Sequence, residues 1–155
     1  MSVYTVSLTR VSISTVVRTL IQIAAGANPL EILKIRLGQT TGTSLDKQPV
    51  ELCRKTAAAT VTPFTPIKNG PTGQPASLAI GGAALTGTDA SVEGTNGDIL
   101  AQGVFNYVNE WLWFPVRDEK IWIPPSGIVG FRFPIAPGGA VICTCDITFK
   151  EHNGC

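Results

Sequence analysis

The chain has 155 residues, a length that one domain fills. Only 15% of them are Asp, Glu, Lys or Arg, where an average soluble domain has roughly 25%, and the formal net charge is +1. This excludes a disordered chain and a coiled coil, which are rich in charge, and a nucleic-acid binder, which carries a basic excess.

In chain order, Val3, Thr5, Ser7 and Thr9 alternate with Tyr4, Val6, Leu8 and Arg10, and this period of two predicts a strand. The same stretch lacks the basic start and continuous apolar core of a signal peptide. No apolar run approaches the ~18 residues of a spanning helix, so synthesis in a cytoplasm and no membrane partner are expected. Thr15 to Ala25 reads as a second strand. Leu30 to Leu37 has a helical composition, but Ile32, Lys34 and Arg36 alternate with Leu33, Ile35 and Leu37 between Pro29 and Gly38, which favours a third. Gly38 to Ser44 is glycine-rich like a phosphate loop. It lacks the lysine that reaches the phosphates and no helix pattern follows, so it reads as a surface loop. Pro49 to Thr56 is a fourth strand.

From Ala57 to Asn96 the composition changes. Pro63, Pro66, Pro71 and Pro75 are followed by Gly81-Gly82, Gly87 and Gly94. This predicts a long excursion with one short strand near Ser77 to Ile80, and loops of that length usually have a task. Asn96-Gly97 reads as a turn. Strands resume at Ile99 to Val108, Glu110 to Val116, Ile121 to Ile123, Ile128 to Pro134 and Ala140 to Lys150. Arg117 to Lys120 is expected at a charged hairpin tip. The sum is an all-β fold: a single β-sandwich or jelly-roll-like domain over residues 1–155, of about eight strands with one long proline/glycine-rich loop.

Chemistry-bearing residues are sparse. Cys143, Cys145, His152 and Cys155 have the composition of a zinc site, but their spacing matches no knuckle. The only histidine sits near the chain end, a poor place for an imidazole that must be buried and oriented. Asp118-Glu119 and Glu110 define no carboxylate pair. No catalytic residue, metal or cofactor is predicted, and the chain is not read as an enzyme. The densest feature is aromatic: Phe105, Tyr107, Trp111, Trp113, Phe114 and Trp122. On a strand Trp111 and Trp113 share one face, Leu112 and Phe114 the other, so burial on both faces is expected. One face would be core. The other would meet the excursion, a neighbouring subunit or a ligand such as a sugar ring.

These segments carry a likeness: LEILKIRLGQTTGTSLDKQPVEL (Leu30 to Leu52), TPFTPIKNGPTGQPASLAI (Thr62 to Ile80), the aromatic block from Val104 to Pro137, and VICTCDITFKE (Val141 to Glu151). The chain resembles the small jelly-roll cement, or head-decoration, proteins of tailed bacteriophages. The cysteines near the C-terminus depart from that group. The resemblance implies a virion structural protein, made in the host cytoplasm, that binds the major capsid protein on the outer surface of the shell, commonly as a homotrimer. Interface candidates are Tyr4 in the first strand, Phe64, Pro66, Leu78 and Ile80 in the excursion, and Trp111, Trp113 and Trp122 in the aromatic block. The alternative reading is a carbohydrate-binding or tail-fibre module that stacks sugars on those tryptophans.

Overall fold

The computed structural model describes residues 2–13, 18–42, 47–73, 75–77, 86–106 and 108–152. Among them are twelve strands and no helix. The outgoing half of the chain forms β1 (Ser2–Ile13), β2 (Arg18–Ala24), β3 (Leu30–Gly42) and β4 (Lys47–Ala57). The excursion contains β5 (Thr60–Pro63), β6 (Ile67–Lys68) and β7 (Gly87–Val92). The returning half forms β8 (Thr95–Asn106), β9 (Trp111–Trp113), β10 (Ile121–Ile123), β11 (Ile128–Phe133) and β12 (Val141–Glu151).

The returning strands pair with the outgoing ones in nested order. β4 pairs with β8, β3 with β9 and β10, β2 with β11, and β1 with β12. The chain is thus one long antiparallel hairpin. Rolled up, it sets β12 beside β3 and β11 beside β4. One sheet then runs β10-β3-β12-β1-β6, with β9 also on β3, and the other β5-β7-β2-β11-β4-β8. This is jelly-roll winding. If β9 and β10 are taken as two halves of one strand, the rolled hairpin accounts for the expected eight, and the excursion adds the rest.

Alternation decides what lies between the sheets. Along β12, Val141, Cys143, Cys145, Ile147 and Phe149 are buried while their neighbours are partly open. Leu20, Val50, Leu52, Val129, Phe131 and Phe133 join them from the facing sheet in one contiguous apolar cluster. Each such side chain contributes about 1.5–3 kcal/mol through burial. Tyr4 stacks on Phe149 with ring centroids 5.7 Å apart, and its hydroxyl donates to the Pro75 carbonyl at 2.9 Å.

The excursion is not the long loop that its composition predicts. Thr60 lies opposite Val92 and Pro63 opposite Gly87, so β5 and β7 prolong the β4–β8 hairpin beyond Ala57 and Thr95. The prolonged ribbon bends at Gly94, whose φ of +70° and approach to the backbone of Ala57 and Ala58 leave no room for a Cβ. It folds back until Thr88 pairs with Ile21 and Gly87 with Gln22 on β2. Farther on, β6 pairs with β1, Lys68 opposite Tyr4. The prolines keep each piece short, but the edges of β1 and β2 supply partners that composition does not reveal. Ser77 is not in a strand, and residues 78–80 lie outside the described residues.

Three local readings are corrected in the same way. Asn96-Gly97 lies inside β8, with Asn96 opposite Lys55, and the turn is at Glu93-Gly94. Gly38 to Gly42 continue β3, where they pair with β12, rather than forming a loop. Arg117 to Lys120 is not a hairpin tip. β9 and β10 both lie along β3, Trp113 opposite Ile35 and Ile121 opposite Ile32, and the charged segment connects two pieces of one edge.

A Cβ on Gly87 would collide with the Thr62 carbonyl oxygen. Gly87→Ala is therefore expected to lower stability by about 2 kcal/mol, the order of a steric insertion into packed backbone. Hydrogen exchange should speed up in β5 and β7 more than in β12; equal protection in variant and parent would contradict this packing.

Candidate interaction surface

The aromatic segment is built by β3, which holds β9 and β10 on one edge. Trp111 and Trp113 turn inward and pack partly buried on the core. Trp111 stacks on Phe131 with centroids 5.5 Å apart, and its indole occupies the space that a Cβ on Gly103 would need. The expected burial of both faces is not met within one chain. Leu112, Phe114, Val116 and Val108 are exposed, at 46%, 55%, 68% and 73%. The described part of the excursion does not cover them: its strands occupy the β1 and β2 edges, across the sandwich from β9. These apolar side chains, on and beside β9, are therefore open, with Leu112 opposite the Arg36 ion pairs.

Of the residues expected at an interface, Tyr4 and Pro66 are buried inside the chain, and Phe64 is half-buried against the core. A buried side chain has no surface left for a partner, so Tyr4 and Pro66 are core residues. Leu78 and Ile80 lie outside the described residues. Trp122 is 43% exposed, with its ring 4.5 Å from that of His152. The three indoles form no shared stacking platform, since two of them face the core.

Two polar clusters were not legible in the sequence. The first surrounds Glu31, whose side chain is 4% exposed. Its carboxylate meets His152 Nε2 at 2.9 Å, Lys120 Nζ at 3.1 Å and Lys150 Nζ at 3.7 Å. Burial works to raise its pKa, but the hydrogen bonds and charges of Lys120, His152 and Lys150 outweigh that and hold it below the usual carboxylate value. The second cluster lies on the outer face of the other sheet. Glu93, at the bend of the folded-back ribbon, accepts from Thr19 N at 2.7 Å, Thr19 Oγ1 at 2.8 Å and Arg132 Nε at 2.6 Å. Arg132 also donates to Glu51 at 2.6 Å, and the fully buried Lys55 ammonium reaches the Glu93 carbonyl and Asn96 Oδ1 at 2.7 Å each. Burial again opposes ionisation of Glu93, and Thr19, Lys55 and Arg132 overcome it, so its pKa is lowered. Gln22 completes the attachment, exchanging hydrogen bonds with the Ala59 backbone.

These clusters deepen the charge deficit. Arg18, Arg36, Lys55, Lys120, Arg132 and Lys150 pair with Glu31, Glu51, Asp89, Glu93, Glu110 and Asp146. Among the described residues, ion pairs thus engage at least six of the chain's 12 basic and six of its 11 acidic residues.

Cys143 and Cys145 face the core. Burial pushes the Cys143 thiol up to about 12 and that of Cys145 well above its ordinary value. His152 is about 23 Å farther along the strand at ~3.3 Å per residue, on the Glu31 cluster. Cys155 lies outside the described residues, among which no group of His, Cys, Asp and Glu gathers as a metal site.

No family model, curated protein or solved structure matches the chain.

Glu93→Gln should cost about 3 kcal/mol at pH 7, the order for breaking a partly buried ion cluster. Both lowered carboxylates stabilise the fold above the unfolded value of about 4.3, and that stability is lost as pH falls through the folded values. Urea midpoints should thus hold steady from neutral pH down to about 5 and fall below it, less steeply in Glu93→Gln. A variant with the parent's acid profile would remove Glu93 from this role. A thiol reagent should leave Cys143 and Cys145 unmodified until urea unfolds the chain; rapid labelling at either of these two positions in the native protein, located by peptide mapping, would contradict their burial.

Proposed function

We propose that this chain is a virion structural protein that binds the outer surface of a bacteriophage capsid and stiffens the shell by non-covalent bridging. Once on the shell it stands as a homo-oligomer, the trimer being the state implied by the resemblance. The observation that carries the reading is the uncovered apolar segment around Leu112, Phe114 and Val116 on a chain that satisfies half its charges internally. Exposed apolar area on a rigid scaffold is what a protein needs to bury surface against neighbours after folding alone. The sandwich supplies rigidity: the nested ladder ties both chain halves together over their full length. The reading is of a binding protein and not an enzyme, with the major capsid protein as its partner.

Co-sedimentation with expanded, empty capsid shells tests it. The parent protein should saturate the shells at a fixed stoichiometry. Leu112→Asp with Phe114→Asp should weaken binding at least about tenfold, because two apolar contacts of ~1.5 kcal/mol or more are replaced by desolvated charge. Its melting temperature should stay near the parent's, since both side chains are exposed. Absence of the parent from sedimented shells would overturn the reading.

A further inference from the structure

The rolled hairpin leaves four edges, and two are covered by the chain itself: β6 lies on β1 and β7 on β2. The third, β9 with β10, is broken into two strands of three residues each. The fourth, β8, is 12 residues long, and among the described residues no strand pairs with it on the side away from β4. It contains no Lys, Arg or Pro, and Asp98 is its only charge. Long open edges are usually shortened, charged or broken to prevent pairing; this one has almost none of those defences. Its outer-face side chains are exposed, including Ile99 at 53% and Val104 at 57%, while Phe105 is core.

The pattern along β8 is self-complementary. Opposite β4, Leu52 pairs with Ala101 and Cys53 with Ile99, so Leu100 is an extra, bulged residue. The bulge resets the alternation. Ile99, Gln102 and Val104 then share the outer face, while Ala101, Gly103 and Phe105 share the inner one. An antiparallel copy of β8 centred on Gln102 sets Ile99 opposite Val104 of the second chain, and Val104 opposite its Ile99. Inner-face Ala101 meets Gly103, small against absent, and Asp98 meets Phe105 rather than a like charge. The incoming Ile99 meets Val104 on its side turned away from Pro49, its partner on β4.

We infer that β8 is a two-fold self-association edge, on which a second copy of this chain adds its own β8 antiparallel through Gln102. Each copy sets Ile99 beside Val104 of the other. The contact joins the two β8-containing sheets into one continuous sheet, and its isologous symmetry closes the edge in both copies. It uses neither Leu112 nor Phe114, so it stands independently of shell binding.

Light scattering and sedimentation velocity of the purified chain test this. At about 100 μM, above the micromolar range of a small edge contact, the mass should be near twice 16.4 kDa. Gln102→Cys should give a disulfide-linked dimer under mild oxidation, because the two positions face each other across the axis. Ile99→Lys with Val104→Lys opposes lysines twice and should yield monomer with an unchanged melting temperature. Ile99→Glu with Val104→Lys opposes unlike charges in the same register and should remain dimeric. A monomeric parent at that concentration would overturn the inference, as would equal masses for the two double variants or a trimer insensitive to both. Shell binding by a monomeric parent would reject this contact while leaving the proposed function intact.

Discussion

The fold depends on where the hydrogen bonds of its strand edges go. Backbone N–H and C=O groups must be satisfied, and an open sandwich has more edge than a closed barrel. Here the innermost hairpin is longer than the sheet that holds it. β4 and β8 continue as β5 and β7, and the surplus ribbon turns back at Gly94 to lie against β2. From that one fold-back follow the burial of β2 on both faces, the polar attachment by Glu93 and Gln22, and the route of the chain to β1.

The ribbon is held differently from the body. The sandwich interior is one apolar cluster drawn from both sheets, while under the ribbon only Ala59, Val61 and Ala90 form a small second one. The remaining attachment is charge and amide: Glu93 with Arg132 and Thr19, Arg18 with Asp89, Gln22 with Ala59. Partly buried ion clusters carry a desolvation cost that only several good partners offset. Glu93 has them, and Lys55 and Glu31 with it are charges that an already charge-poor chain keeps off its surface. The low charge content of the chain and its open apolar side chains on and beside β9 are thus two sides of one allocation.

How much of this could be read beforehand depends on the range of the interaction concerned. The inward set Val141, Cys143, Cys145, Ile147 and Phe149 was legible, because alternation is local. So was β10, which the sequence delimits between Lys120 and Pro124. The nested order was not legible, nor was the placing of β9 and β10 on a single edge, since neither leaves a mark in neighbouring residues. Trp111 and Trp113 were legible as a pair on one face, but which face became core was fixed by Phe131 and Gly103 from other strands. Nothing in the residues next to Glu31 marks it as buried. Only the meeting of β10 with the end of β12 covers it with Trp122 and His152.

The sequence by itself determined the fold class, the strands of regular period, the absence of excess charge and the unusual apolar density between Phe105 and Ile123. Each is a property of composition or of residues two apart. Only the tertiary structure decided that the proline- and glycine-rich excursion is strand, that its ribbon shields β1 and β2, and that β8 and the outer face of β9 stay open. The physical reason is that β-pairing satisfies backbone groups between segments distant in sequence. Which edge finds a partner is therefore a property of the whole chain's winding, and the edges and faces left over are where a low-charge protein has surface to offer.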